Sequence, residues 1–211
     1  RRMCDRRFGI GADGLMVLLP EPDADFRMLY YNSDGFEGTM CGNGGRCITA
    51  FARDCGYINN YARFFASDGI HEAYINEDGS IRIKMSDVSE INEFDDGTLI
   101  NTGSPHFIMG MENPHEADVN TVGKNIRHQK RFSPGGVNVS FVEYKSGKIW
   151  ISTFERGVEA ETLACGTGAV AASIAIKRKF NLELTVFSLI AKGGILSVSF
   201  MESGNQYSEI W

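Results

Sequence analysis

The 211-residue sequence lacks long apolar runs, has only five prolines, and contains no Cys-x-x-Cys pair. No run approaches the roughly 18 apolar residues of a membrane-spanning helix, so no membrane partner is expected. The 24 glycines lie in short clusters between periodic segments, which excludes a low-complexity, disordered chain. A formal net charge of −6 would repel a phosphate backbone and argues against nucleic acid as a main partner. The composition therefore predicts a folded globular protein.

Cysteine and histidine spacing excludes two further classes of protein. Five cysteines, an odd number at irregular spacing and without a signal-like N-terminal segment, argue against a secreted disulfide framework. The four histidines show neither His-x-His nor HExxH spacing, so no metal site is expected. Reduced thiols and a cytoplasmic location are predicted. The chain begins at Arg1 and stops inside an expected strand, so we expect a fragment.

An internal repeat organises the chain. Two Cys-Gly-x-Gly segments, at residues 41–44 and 165–168, each precede a run rich in small residues that predicts a helix. A Gly-Ile pair that opens an alternating strand follows 28 residues after Cys41 and 29 residues after Cys165. A β-rich segment precedes each motif, at residues 26–31 and 148–154. Two homologous α/β halves are predicted.

The boundary between the halves is placed in the polar stretch 112–131, which gives halves of 1–115 and 116–211. The basic run 127–131 within that stretch is either a recognition patch or a short solvated face. The solvated face is favoured, and no function is assigned to the run.

The segment Gly9-Ile10-Gly11-Ala12-Asp13-Gly14 matches the dinucleotide-binding pattern G-x-G-x-x-G. Polar residues precede these glycines where a buried strand is required, and residues 15–19 follow as a strand where the helix should begin. The context excludes a dinucleotide site, and no cofactor is expected.

Cys41 and Cys165 are the candidate reactive groups. A cysteine at a helix N-terminus lies near unpaired N–H groups and the positive end of the helix dipole, which lowers its pKa. The same N–H groups bind a substrate carboxylate. Two such thiols on either side of one ligand could remove a proton from a carbon stereocentre and return one on the opposite face, which is racemisation or epimerisation. Each cysteine alone could be an inert buried residue, but the repetition favours catalysis.

Other polar residues lie near the two motifs. Asn32 precedes Cys41 by nine residues, and Glu155 with Arg156 precedes Cys165 by about the same distance. These residues either reach the same cleft or form ordinary turns. His106 either tunes the proton affinity of a thiol or is a satisfied loop histidine. Cys4, Cys47 and Cys55 lack this context and are interpreted as structural.

At these residues the sequence resembles the diaminopimelate epimerases, cofactor-independent enzymes that interconvert LL- and meso-diaminopimelate in lysine biosynthesis and supply a peptidoglycan precursor. The resemblance covers nearly the whole chain. It rests on five segments: residues 4–14, Asn32-Ser33-Asp34-Gly35, Cys41-Gly42-Asn43-Gly44, Glu155-Arg156-Gly157 and Ala164-Cys165-Gly166-Thr167-Gly168.

The resemblance implies a fold, a site and an assembly. Each half would be a mixed, mainly antiparallel sheet curled around a central helix, with the active site in the cleft between the halves and a homodimer as the assembly. Cys41 would be the proton donor and Cys165 the acceptor in one direction, with His106 and Glu155 adjusting the thiol pKa values. The implied substrate-binding residues are Asn32, Gly42, Asn43, Asn138, Glu155, Arg156, Gly166 and Thr167.

Three departures from the family pattern lead to further expectations. Ser104 stands before Pro105-His106 where the family usually has asparagine, and the segment between Gly157 and Cys165 is one residue longer than the common pattern. The family's N-terminal Gly-Asn-Asp-Phe motif and its last strand are absent. Exposed strand edges would then make this fragment aggregate or turn over poorly.

Two other readings stay open. The chain could be a proline or hydroxyproline racemase, although Arg156 with Asn32 and Asn138 favours a substrate with a second charged end. It could instead be a redox protein with a Cys41–Cys165 disulfide, or a non-catalytic binding protein. Titration of the thiols would separate catalysis from redox sensing.

Overall fold

The computed structural model describes residues 1–38 and 41–211 and divides into two compact units, Arg1–Lys84 and Met85–Trp211. Unit 1 contains one helix and a five-stranded sheet in the order β1-β2-β3-β4-β5, antiparallel except for the pair β2–β3. Its elements are β1 (Gly14–Leu19), β2 (Phe26–Asn32), α1 (Gly42–Asp54), β3 (Tyr61–Ala66), β4 (Gly69–Ile75) and β5 (Ile81–Ile83).

Unit 2 is built on one large sheet with the order β13-β12-β10-β9-β8-β7-β6, in which β11 also pairs with β10. The sheet strands are β6 (Ile91–Phe94), β7 (Gly97–Asn101), β8 (Pro105–Gly110), β9 (Asn138–Lys145), β10 (Lys148–Glu155), β11 (Ala160–Thr162), β12 (Val186–Ala191) and β13 (Gly194–Ser199). The α-helices are α2 (Val119–Arg127) and α3 (Gly166–Phe180), with short 3-10 helices at Pro114–Glu116 and Lys130–Phe132. Strand β14 (Met201–Ser203) pairs with β15 (Gln206–Ser208).

The predicted repeat is confirmed by the topology. In unit 1 an antiparallel pair, β1–β2, leads through α1 to β3, which is parallel to β2 and forms a hairpin with β4. In unit 2 the pair β9–β10 leads through α3 to β12, which is parallel to β10 and forms a hairpin with β13. Each repeat is thus a mixed, mainly antiparallel sheet crossed by one helix.

The large sheet of unit 2 is covered on both faces. Alternate side chains of a strand point to opposite faces, so Val142 and Ile151 pack with α3 while Val139 and Phe154 pack with α2. This double cover explains why β9 begins with five consecutive buried residues. Helix α3 is alanine-rich and buried at every position from Gly168 to Lys177.

The compact units divide after Lys84, whereas the sequence places β6, β7 and β8 in the first half. These strands join the sheet of unit 2, because β8 pairs in parallel with β9 from His106↔Asn138 to Gly110↔Val142. The polar stretch expected to connect the halves also contains α2, which packs on that sheet. The boundary at 115/116 concerns the sequence repeat and stays a prediction.

No helix in the described part of the chain is both long and apolar enough to cross a membrane.

Candidate active site

Cys41 occupies the N-cap of α1, as predicted from the Cys-Gly-x-Gly motif. Its backbone is extended, with φ −106° and ψ 130°, and its carbonyl accepts the Gly45 N–H at 2.7 Å. The side chain makes no capping hydrogen bond and is exposed. Gly42 and Asn43 form the first turn of α1, whose N–H groups have no partner within the helix.

The other predicted residues of unit 1 lie at the end of β2 and at the start of α1. Asn32 is the last residue of β2, and its N–H donates to the Phe36 carbonyl at 2.9 Å, which closes the turn at residues 32–36. The Asn43 side-chain oxygen accepts a hydrogen bond from the Arg46 guanidinium. The segment after Gly14 is strand β1, which confirms the strand predicted at residues 15–19.

Cys165 occupies the equivalent N-cap of α3, with φ −126° and ψ 116°. Its sulfur lies 3.4 Å from the Thr167 hydroxyl oxygen. Gly166 and Thr167 form the first turn of α3, so this thiol also stands beside a set of helix N–H groups. The placement of the second thiol is confirmed.

The predicted direction of the pKa shift is wrong for Cys165. Burial and the Glu155 carboxylate together raise the pKa of this thiol to about 12, although hydrogen bonds from Thr167 and from the Gly168 N–H act in the opposite direction. Burial and a like charge disfavour the thiolate more than the helix N-terminus favours it. In the substrate-free protein Cys165 is therefore a neutral thiol.

Glu155 ends β10, and its carboxylate oxygen accepts a hydrogen bond from the Thr162 hydroxyl on the paired strand β11. This hydrogen bond holds the carboxylate near Cys165, where its charge acts on the thiol.

His106 lies on β8 and is fully buried. Its Nε2 atom is 2.9 Å from the Thr167 hydroxyl oxygen, so one hydroxyl contacts both His106 and Cys165. Burial, together with the nearby Arg156 charge, lowers the pKa of His106 to about 3, which keeps the imidazole neutral. A Cβ atom at Gly168 would lie 3.2 Å from His106 Cε1, so the second glycine of the motif leaves room for the imidazole.

Asn138 links the remaining predicted residues of unit 2. Its amide nitrogen donates to Ser104 Oγ at 2.8 Å and to the Pro105 carbonyl at 3.2 Å, and its oxygen accepts the Arg156 N–H at 2.8 Å. These contacts use the oxygen and both amide hydrogens. Ser104 also lies 3.5 Å from the Arg156 guanidinium, so it organises this cluster at the position where the family pattern has asparagine.

Thr102 was missed by the sequence analysis. It is buried, and its hydroxyl donates to the Thr167 carbonyl at 3.1 Å, which ties the β7–β8 loop to the first turn of α3. No local pattern marks this threonine, because its partner lies 65 residues away.

The predicted residues are divided between the two units. In unit 1, Cys41, Gly42 and Asn43 lie at the N-terminus of α1 and Asn32 lies at the end of β2, and unit 2 brings together His106, Asn138, Glu155, Arg156, Cys165, Gly166 and Thr167 at the N-terminus of α3. That the two groups face each other across a cleft stays a prediction. Within the residues described, no three His, Cys, Asp or Glu side chains come together as possible metal ligands.

Comparisons with known proteins show the family and the fold of the chain. The sequence profile described as Diaminopimelate epimerase matches residues 1–91 and 98–209. The diaminopimelate epimerase of Flavobacterium psychrophilum is 44% identical over 212 residues, which cover 100% of this chain and 83% of that protein.

Two solved structures share the fold at low identity. A phenazine biosynthesis protein of the PhzF family from Bacillus anthracis has a TM-score of 0.73 and 14% identity, covering 96% of this chain and 85% of its own. A probable proline racemase from Agrobacterium radiobacter K84 has a TM-score of 0.68 and 19% identity, covering 99% of this chain and 75% of its own. The profile match and the identity to the Flavobacterium protein show that the chain belongs to the diaminopimelate epimerase family.

Proposed function

We propose that this chain epimerises LL-2,6-diaminopimelate to meso-2,6-diaminopimelate, a reaction of lysine biosynthesis, with Cys41 and Cys165 as its two acid/base groups. The observation that carries the proposal is the equivalent placement of the two thiols, each at the N-cap of the crossover helix of one repeat. Membership of the epimerase family supports the substrate.

In the proposed reaction, one cysteine thiolate breaks the Cα–H bond of the substrate and becomes a thiol. The opposite thiol gives its proton to the other face of the carbanion and becomes a thiolate. The helix N–H groups after Gly42 and Gly166 stabilise the substrate carboxylate, whose negative charge grows as the proton leaves. Because Cys165 is a neutral thiol before substrate binds, it starts in the form that donates a proton.

Glu155 couples substrate binding to the Cys165 thiol in this proposal. Its charge disfavours the thiolate in the empty site. A substrate ammonium group bound to Glu155 offsets that charge and lowers the thiol pKa, which makes the reverse direction accessible. Arg156 binds the distal carboxylate, and Asn32, Asn43, Asn138 and Thr167 complete the substrate contacts.

The test is hydrogen exchange at Cα of LL-diaminopimelate in deuterated water, followed by NMR. Wild type, Cys41→Ser and Cys165→Ser are compared, with Cys47→Ser as the control because Cys47 is an exposed cysteine on the same helix as Cys41. We expect deuterium at one α-carbon with wild type and Cys47→Ser, and rates at least about 100-fold lower with either other variant.

Other outcomes would contradict parts of the proposal. Exchange into proline instead of diaminopimelate would assign the chain to the racemases that share its fold. No exchange with any amino acid would favour a redox or binding protein, and full activity of Cys41→Ser or Cys165→Ser would exclude the two-thiol mechanism.

We also infer a cytoplasmic location, from the reduced thiols that the cysteine pattern predicts, and a homodimer, from the family resemblance. The five cysteines, all in the described part of the chain, are free thiols, which supports a reducing compartment. Sedimentation of the purified protein tests the dimer, and a monomer at micromolar concentration would contradict it.

A further inference from the structure

One side of α2 lies against the β10–β11 hairpin, which carries Glu155 and Arg156 at its turn. Asn120, Gly123 and Arg127 are three and four residues apart, so they lie on one face of the helix. Asn120 Oδ1 accepts the Glu161 N–H at 2.7 Å, and Gly123 lies against the Phe154 side chain. Arg127 Nε lies 2.7 Å from Glu159 Oε1. The helix therefore contacts the hairpin along its whole length.

Glu159 closes the turn of this hairpin. Its N–H donates to the Glu155 carbonyl at 2.9 Å, and its carboxylate accepts the Gly157 N–H at 3.0 Å. Its backbone has φ +58°, a left-handed conformation that a side chain rarely adopts without compensating contacts. The Gly157 N–H and the Arg127 and His128 charges lower the pKa of Glu159, so its carboxylate is ionised at neutral pH.

Arg127 supplies the fixed positive charge at this turn. Its side chain is 13% exposed, and Nε lies 2.7 Å from the Glu159 oxygen that also accepts the Gly157 N–H. The Arg127 N–H is not aimed at that oxygen, so the contact is an ion pair rather than an aligned hydrogen bond. His128 Nε2, at 3.6 Å from the other carboxylate oxygen, is more exposed and adds a weaker contact.

Arg156 lies within the turn that Glu159 closes. Its N–H donates to Asn138 on one side, and on the other side the turn closed by Glu159 follows directly. The backbone of the turn that carries Arg156 is therefore held by the Glu159 contacts and by the Asn138 hydrogen bond.

We propose that Arg127 is a positioning residue that acts through Glu159 on Arg156. The proposal rests on the proposed function, in which Arg156 binds the distal carboxylate of the substrate. It assigns a role to Arg127, the first residue of the basic run 127–131. Its partner Glu159 lies between Gly157 and Cys165, in the segment that is one residue longer than the family pattern.

The kinetic test compares Arg127→Gln, Glu159→Gln and the double variant in the purified protein. Lys130→Gln is the matched control, because it removes an exposed positive charge from the same run. We expect KM for LL-diaminopimelate to rise about 5- to 20-fold in both single variants while kcat stays within about twofold. The double variant should resemble the single variants, because both substitutions remove one interaction. Lys130→Gln should match wild type.

A second measurement does not depend on turnover. Hydrogen exchange over residues 155–163 should be about tenfold faster in Arg127→Gln and Glu159→Gln than in wild type and Lys130→Gln, since the Glu159 carboxylate that accepts the Gly157 N–H is no longer fixed by Arg127 or is replaced. If wild type fails to turn over diaminopimelate, the proposed function fails, but this measurement still tests whether the contact between Arg127 and Glu159 fixes the turn. Unchanged exchange, or a fall in kcat and melting temperature with unchanged KM, would overturn the inference.

Discussion

At the scale of single residues, the Thr167 hydroxyl is the shared contact of His106 and Cys165. Its hydrogen bond lowers the pKa of the thiol, so Thr167→Val should raise that pKa further, whereas Thr167→Ser keeps the hydroxyl. We expect alkylation of Cys165 at pH 8.5, measured by peptide mass spectrometry, to slow about 3- to 10-fold in Thr167→Val and to stay within about twofold in Thr167→Ser. Equal rates in the two variants would show that the hydroxyl does not act on the thiol.

The buried His106 predicts a loss of stability in mild acid. Its pKa is about 3 in the folded protein and about 6.5 when unfolded, so the unfolded chain binds one more proton between these values. Stability is fully present above pH 6.5 and is lost as the pH falls. Urea unfolding at pH 7.5 and 5.5 should show a difference of about 1.4 kcal/mol. His106→Asn should remove this dependence, and an equal pH effect in that variant would assign it to other groups.

At the scale of elements, the start of each central helix could be predicted because the signal is local. A cysteine, two glycines and a run of small residues suffice to place Cys41 and Cys165 at N-caps. The pKa of Cys165 could not be predicted in the same way. It depends on burial of the thiol by tertiary packing and on Glu155, whose carboxylate is bonded by Thr162 across a strand pair.

Helix α2 offers a stability test at this scale. A Cβ atom at Gly123 would lie 2.5 Å from Phe154 Cβ, so Gly123→Ala must push α2 away from the hairpin. Alanine alone would favour the helix by about 1 kcal/mol, but overpacking costs about 1–3 kcal/mol, and we expect a net loss of about 1 kcal/mol. Asn125→Ala, at an exposed position of α2, is the control and should be neutral or slightly stabilising in urea unfolding. A stabilised Gly123→Ala protein would show that the helix can move without cost.

At the scale of the whole molecule, the repeat was predictable and the sheet membership of β6, β7 and β8 was not. Similar motifs at similar spacing, from Cys41 to Gly69 and from Cys165 to Gly194, indicate the repeat. The pairing of β8 with β9 joins segments about 30 residues apart in a parallel register that no turn specifies. The sequence therefore indicates both central helices and their strands, but only tertiary packing decides where one compact unit ends.

The division into two units predicts that unfolding is not a single transition. Both tryptophans, Trp150 and Trp211, lie in unit 2, so tryptophan fluorescence reports that unit alone, whereas far-ultraviolet circular dichroism reports both. Unit 2 is the larger unit and its sheet is covered on both faces, so it should unfold at a higher urea concentration than unit 1. The fluorescence midpoint should then exceed the circular dichroism midpoint. Gly123→Ala should lower the fluorescence midpoint and leave the first part of the dichroism curve unchanged. Superimposable curves in wild type, shifted together by Gly123→Ala, would show instead that the two units unfold as one.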